Sequence, residues 1–430
     1  MKTFYSYSFG CRVNEAEKEE IDRQMLENGF IYEAKKPDIF IINSCCVTQK
    51  AEREVRQLIY RVKKENPKVL LVVTGCAATY WLRNKLYQTL PVNLIIDNIN
   101  KQFLSDQPVL DRSGLPAGKA GREKMVRTSK FINSGRLIVK IQDGCQRFCS
   151  YCIVPYLRGQ PKSERIKNLE LKIKNYQRKV SEVILTAINT EAFGIDTGEK
   201  FVDLVKTIIN KTKIPRISFG SIHPWSIDEK FLRFYQEYFL KKRLVNFFHV
   251  PLQSGSNKML TLMKRGYKRE EMLKKLQSIK RLNKYAFLST DVIVGFPGET
   301  EKDFEETYDF LEKSSISRFH IFRFSKRKGT AAYFMTKYFK EPKDAEKIKR
   351  AKILAELGRK KYEEFLRKNV GRTSSVLFLQ KRINGFHEGL LDNQLPIFVP
   401  IQPRRSYRPG RIINVKIIEF KKGRLFGKII

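Results

Sequence analysis

The chain has 430 residues, a formal net charge of +39 and 42% hydrophobic residues. That length suggests two or three domains at roughly 100–200 residues each, and the apolar share is that of a globular protein with substantial cores. The first ten residues lack a signal peptide's long apolar region and cleavage site. The most apolar stretch, Val69 to Leu82, is interrupted and falls short of the roughly 20 residues a bilayer span needs. A cytoplasmic protein is therefore expected. The charge points to a polyanion such as nucleic acid, although a lysine-rich solvated surface gives the same excess. Seven cysteines, an odd number in a long chain without a signal peptide, argue against a disulfide framework and for reduced thiols that bind metal.

Taken in chain order, Thr3–Phe9 reads as a strand ending at Gly10-Cys11, followed by a charged helical stretch from Glu15 to Asn28. Asp38–Ile42 is a compact apolar run ending at Asn43-Ser44-Cys45, and Ala51 to Lys64 is helical again. Val69–Val73 is a third apolar run, ending at Thr74-Gly75-Cys76. Strands alternating with helices imply βαβ units and a parallel sheet, whose functional crevice lies beyond the carboxyl ends of the strands. One cysteine there is usually a small buried residue. Three in equivalent positions suggest a three-thiolate metal site made by Cys11, Cys45 and Cys76. Cys46 is the spare, because adjacent thiols rarely ligate one metal together.

Asp111 to Ser129 carries Gly, Pro, Ser and many charges without apolar periodicity, and reads as a linker. From about Gly135, β-type runs recur with helical stretches between them: Leu137–Gln142, Glu182–Ala187, Arg216–Ser221, Asn246–Leu252, Ser289–Gly295 and Phe319–Phe324. Six strands in this alternation suggest a partial (β/α)6 barrel, with its site at the C-terminal ends of the strands. The loop after the first of these strands holds Cys145, Cys149 and Cys152, spaced C-x3-C-x2-C. Three thiolates can hold three corners of a [4Fe–4S] cube and leave the fourth iron open for chemistry. Zinc is the alternative, but structural zinc usually takes four ligands, and the next histidine is His223. Loops at the same face bring Thr186 and Asn189, Ser221, and Gln253, which are candidates for cofactor contacts; ordinary turn capping uses the same residue types. His223 and His249 read as packing or capping groups.

Glu341 to Lys368 reads as a connecting helix, and strands follow at Ser375–Leu379, Pro396–Ile401, Arg411–Phe420 and Arg424–Ile430. Residues 371–430 hold 12 Lys and Arg against 3 Asp and Glu. A small basic all-β module suits a cationic groove along a phosphate backbone. Lys381, Arg382, Arg404 and Arg405 are its candidate RNA contacts.

These residues resemble the methylthiotransferase family of radical S-adenosylmethionine (SAM) enzymes over nearly the whole chain. The resemblance lies in Gly10-Cys-Arg-Val-Asn14, Asn43-Ser-Cys-Cys-Val-Thr48, Val73-Thr-Gly-Cys76, Asn100-Lys101, Cys145 to Gly159, His249-Val-Pro-Leu-Gln-Ser-Gly-Ser256, Asp291 to Glu299 and Phe324 to Thr330. It departs at Ser218 and His223, where the family usually has Arg and Glu, and at Ala187 and Cys46. The fold implied is α/β: an N-terminal Rossmann-like parallel sheet (1–112), a linker (113–130), a radical SAM partial (β/α)6 barrel (131–366) and a C-terminal all-β TRAM-like barrel (367–430). The resemblance implies two [4Fe–4S] clusters, on Cys11, Cys45 and Cys76 and on Cys145, Cys149 and Cys152. The second trio is then catalytic, because a SAM bound at its open iron yields a 5′-deoxyadenosyl radical. Another SAM donates the methyl group, and a methylthio group is installed on an unactivated carbon. The expected substrate is C2 of N6-threonylcarbamoyladenosine beside the tRNA anticodon, at position 37. Isopentenyladenosine in tRNA or a ribosomal-protein aspartate are the alternatives, and an iron–sulfur RNA-binding protein is the non-enzymatic one. Flavodoxin or ferredoxin is the expected electron donor.

Overall fold

A computed structural model describes residues 2–101, 104, 129–239, 243–401 and 407–430. Most of the linker expected at 113–130 lies outside the described residues, as do Arg404 and Arg405.

The first unit is a five-stranded sheet of β1 (Thr3–Ser8), β2 (Ile31–Tyr32), β3 (Ile39–Ser44), β4 (Leu70–Gly75) and β5 (Leu94–Ile95), ordered β2-β1-β3-β4-β5. All pairs are parallel. The helices α1 (Arg12–Glu27), α2 (Gln49–Glu65) and α3 (Cys76–Arg83) connect the strands. In α2, Val55, Leu58, Ile59 and Val62 recur at helical spacing and are the buried face, and the Thr48 hydroxyl caps it by accepting from the Ala51 N–H at 3.1 Å. The register aligns Ser8 with Asn43 and Asn43 with Thr74. The three long strands therefore stop level, and each cysteine follows at the same sheet edge.

The second unit holds β6 (Arg136–Asp143), β8 (Glu182–Ala187), β9 (Arg216–Phe219), β10 (Phe247–His249), β11 (Phe287–Val294) and β12 (Arg318–Arg323). Pairing is parallel within β6-β8-β9 and within β10-β11-β12. A parallel bridge, Ile217 to Leu244, and the Ile222 N–H donating to the His249 carbonyl at 2.9 Å join the two sets into the expected six-strand order. A short strand absent from the sequence reading, β7 (Lys162–Ser163), runs antiparallel along β6. Helix α1 belongs to the first unit yet lies against the second: Ala16 clusters with Ile138 of β6 and Ile184 of β8.

The third unit is a closed barrel of β13 (Thr373–Ile383), β14 (Phe386–Leu390), β15 (Pro396–Pro400), β16 (Ile412–Lys421) and β17 (Arg424–Ile429). Strand β14 went unread because His387 and Glu388 interrupt its apolar pattern. The Asn384-Gly385 turn before it has φ of 46° and 82° at its two residues, the left-handed pair that closes a two-residue hairpin. The β14–β15 loop seals the N-terminal end of the six-strand unit. The Arg216 guanidinium donates to the Leu390 carbonyl at 3.0 Å, the Asn246 N–H to the Asp392 carbonyl at 2.8 Å, and the Gln394 amide to Glu182 Oε1 at 2.8 Å. Phe247 and Phe287 enter the same apolar cluster as Leu391, Leu395 and Phe365.

Candidate functional site

Cys11, Cys45 and Cys76 stand beyond β1, β3 and β4, within electrostatic reach of one another. Two of them follow glycines for a steric reason. Gly10 has φ of +89°, and a Cβ there would lie 2.7 Å from Cys45 Sγ; Gly75 has φ of +92°, and a Cβ there would lie 2.5 Å from the Ser44 carbonyl oxygen. Asn14, on the first turn of α1, ties the loops together. Its amide donates to the Phe9 carbonyl at 2.7 Å and to the Ser44 carbonyl at 3.1 Å. Asn98 donates to Cys76 Sγ at 3.7 Å.

The second trio, Cys145, Cys149 and Cys152, lies in the loop between β6 and the short helix Val154–Arg158. These thiols also feel one another's charge. Burial and then its neighbour Cys149 push the Cys152 thiol up to about 12, and burial with Cys76 and Cys11 does the same to Cys45. Thiols so placed ionise at neutral pH only against a strong positive charge such as a metal. An all-thiol trio is the donor set that soft iron–sulfur clusters take.

Two buried arginines flank these thiols. Arg265 donates from Nη1 to Cys149 Sγ at 3.3 Å and to Tyr151 Oη at 3.1 Å, and from Nη2 to the Pro251 carbonyl at 2.9 Å. It is 3% exposed, and among the described residues none of its hydrogen-bond partners is a carboxylate. Its guanidinium also lies 4.6 Å from the ring centre of Trp225, which Arg147 approaches at 4.2 Å. Arg158 ties α1, beside the first trio, to β6, which leads into the second. It follows the second, lies within electrostatic reach of Cys76, and donates to Asn14 Oδ1 at 2.7 Å, Glu17 Oε1 at 2.9 Å and Asp143 Oδ1 at 2.8 Å. Glu17 also receives Lys101 at 2.6 Å and Lys140 at 2.9 Å. Burial pushes the Glu17 carboxyl up, but Arg158, Lys101 and Lys140 more than reverse it and hold it well below the usual range.

The candidate cofactor contacts lie at or beyond the C-terminal ends of β8, β9 and β10. Thr186 is buried on β8, where a Cβ at Gly220 would lie 2.6 Å from its hydroxyl oxygen. Asn189 is buried, caps the following turn by accepting from the Glu191 N–H at 3.2 Å, and leaves its own Nδ2 without a partner among the described residues. That orphaned donor fits a site awaiting a polar ligand. Ser221 is half-buried beyond β9, and Gln253 is buried with φ of +78°, its N–H donating to the Asp291 carbonyl at 2.8 Å. His223 stacks on Trp225 and meets the Thr190 N–H at 3.4 Å, and burial followed by the Arg265 charge lowers it to about 3, so it stays neutral. His249 is held by Ser289 at 2.8 Å and Asp291 at 3.1 Å. Far away on β13, Lys381 is exposed but pairs with Glu388 at 3.1 Å, while Arg382 is exposed.

Asn14, Glu17, Arg158 and Arg265 carry no role in the sequence reading. Asn14 and Arg158 sit inside quoted motifs, which was the available signal; Arg265 has none.

Residues 139–311 match the radical SAM superfamily, and residues 3–97 match uncharacterized protein family UPF0004. The threonylcarbamoyladenosine tRNA methylthiotransferase MtaB of Aquifex aeolicus is 34% identical over 95% of this chain and 98% of its own. The tRNA-2-methylthio-N(6)-dimethylallyladenosine synthase of Petrotoga mobilis is 31% identical over 99% of both. The fold resembles the radical SAM methyltransferase TsrM of Kitasatospora setae, with a TM-score of 0.51 at 11% identity over 75% of each chain. Level cysteine loops, the C-x3-C-x2-C loop above a six-strand parallel unit, and end-to-end similarity to such relatives lead to one assignment: the chain belongs to the methylthiotransferase family of radical SAM enzymes.

Proposed function

We propose that this enzyme transfers a methylthio group to C2 of N6-threonylcarbamoyladenosine beside the anticodon of tRNA. The observation that carries it is Arg158, which follows the second trio and bonds Asn14 and Glu17 of α1 beside the first, in a chain similar along 95% of its length to a threonylcarbamoyladenosine tRNA methylthiotransferase. SAM and a [4Fe–4S] cluster come with family membership. We assign that cluster to Cys145, Cys149 and Cys152, and a second one to Cys11, Cys45 and Cys76. When bound, these groups supply hydrogen removal from carbon and delivery of sulfur and methyl, chemistry that side chains do not provide.

The protein's own residues position and shield. Arg265 offsets negative charge at Cys149, and Trp225 roofs it against water. Asn189, through its free Nδ2, with Thr186, Ser221 and Gln253, is assigned to SAM. Arg158, Asn14 and Glu17 fix one thiol trio relative to the other, so that a carbon radical meets sulfur before it is quenched. Lys381 and Arg382 are assigned to the tRNA backbone, and flavodoxin or ferredoxin to electron supply.

A dimethylallyl-type adenosine is the second reading, favoured by the 31% identity to the Petrotoga mobilis enzyme. Anaerobic reconstitution with SAM and tRNA carrying either nucleoside, read by mass spectrometry of the nucleosides, decides between them. Methylthiolation of the threonylcarbamoyl nucleoside is expected; product from the dimethylallyl nucleoside alone would overturn the proposal.

A further inference from the structure

The two nucleosides differ in one way that a protein reads easily. A threonylcarbamoyl group ends in a carboxylate and a hydroxyl, whereas a dimethylallyl group is neutral hydrocarbon. A site for the first needs a cation kept free of protein carboxylates, because leaving a bound anion unpaired in a dry pocket is costly.

Arg12 is such a cation. It begins α1, next to Cys11, and reaches across into the six-strand unit, where Nη1 donates to the Phe219 carbonyl at 3.3 Å. It is half-buried and makes no ion pair among the described residues. The acidic group it feels, Glu182, is engaged by other groups: Oε1 meets Arg136 at 3.1 Å, Ser218 at 2.7 Å and Gln394 at 2.8 Å, and Oε2 lies 3.6 Å from Arg216 Nε. Asp291, near His320, is held by His249 at 3.1 Å. Within electrostatic reach of Arg12 is His320 on β12, whose ring lies 5.4 Å from that of His249. Both nitrogens of His249 are engaged, by Ser289 and Asp291, which leaves the His320 ring as the donor available to a ligand.

We propose that Arg12, assisted by His320, binds the carboxylate of the N6-threonylcarbamoyl group and so selects that nucleoside over one with an uncharged N6 substituent. This rests on the functional reading above and deepens it. The chemistry places the two requirements side by side: in adenine, C2 and C6 flank the same ring nitrogen. A residue adjoining a ligand of the sulfur-delivering centre therefore stands beside the N6 substituent when sulfur faces C2.

The test compares anticodon stem-loop RNA carrying N6-threonylcarbamoyladenosine with the same RNA in which the carboxylate is a carboxamide. Reconstituted full-length enzyme is used, and dissociation constants are measured alongside kcat/KM. Wild type is expected to favour the carboxylate by about tenfold or more, the scale of one charge-assisted hydrogen bond. Arg12→Gln should reduce that preference to near unity, Arg12→Lys should keep part of it, and His320→Gln should lower it partially. Iron content reports on folding. If Arg12→Gln fails to hold iron, Arg12→Lys and His320→Gln decide, and a wild-type preference in both overturns the proposal. A wild-type preference in iron-replete Arg12→Gln, or none in wild type, overturns it too. Wild-type enzyme that methylthiolates only dimethylallyl RNA removes the functional reading instead, and that result is recognisable before any variant is made.

Discussion

Arg265 is placed to tune the cluster proposed at Cys145, Cys149 and Cys152. A buried guanidinium bonded to a ligand sulfur stabilises the more negative, reduced state of a cluster, since hydrogen bonds to sulfur and net charge tune such potentials. Arg265→Gln is therefore expected to move the midpoint potential of the cluster at Cys149 to more negative values in an EPR-monitored titration, and to slow 5′-deoxyadenosine formation. An unchanged midpoint would show that the 3.3 Å contact does no tuning. The two thiol trios should separate cleanly by function. Cys149→Ala is expected to abolish 5′-deoxyadenosine formation, while Cys45→Ala should leave SAM cleavage measurable and stop sulfur insertion; product from either variant contradicts its assigned role. At this scale the cysteines were legible because their spacing and strand-end positions are local. Glu17 and Arg158 were not: they lie 141 residues apart, and a glutamate in a charged helix looks solvent-facing until its distant partners are known.

Among elements, α1 departs most from its sequence pattern. Its many charges suggest one wet face, yet it is enclosed by β1 and β3 on one side and β6 and β8 on the other, and it buries Asn14, Glu17, Glu19 and Asp22 beside Val13, Ile21 and Leu26. Burying so many polar groups is sustainable only where each is bonded. Asn14 and Glu17 are, through Arg158 and Lys140 of the second unit and Lys101 of the first. Glu17→Gln would strand Arg158, Lys101 and Lys140 around a neutral amide, and is expected to cost about 3–5 kcal/mol, the scale for breaking a buried ion pair, measured by urea unfolding. The sign of the pH dependence follows. With the folded value held below the unfolded value of 4.5, this stabilisation is complete above the unfolded value and declines as the medium is acidified through the folded one. Thermal unfolding in acid should show a smaller loss in Glu17→Gln than in wild type. The long strands of both parallel units were readable, because apolar runs alternate with helices; β2, β5, β7 and β14 were too short or too polar to be seen.

For the whole molecule, the net charge of +39 anticipates binding that weakens steeply with salt. Each phosphate contact contributes about 0.7 to the slope of log affinity against log salt on single strands. Lys381→Ala combined with Arg382→Ala is expected to reduce that slope by roughly one unit in filter-binding with tRNA, most of it from Arg382, because Lys381 is engaged with Glu388. An unchanged slope would move the RNA grip elsewhere. Three units in series were legible from composition and alternation, but their mutual arrangement was not, since it depends on contacts such as Arg216 to Leu390 that join distant stretches of chain.

The loop from Leu391 to Leu395 is both the floor of the six-strand unit and part of the terminal barrel. The nucleic-acid grip proposed for Lys381 and Arg382, mounted there, would not swing on a tether: it would work as a caliper, with one jaw on the RNA and the other at the reacting base, the gap between them set by the foundation they share. Lengthening that loop would reset the gauge, so that RNA is still held firmly while the wrong nucleotide is presented, or none.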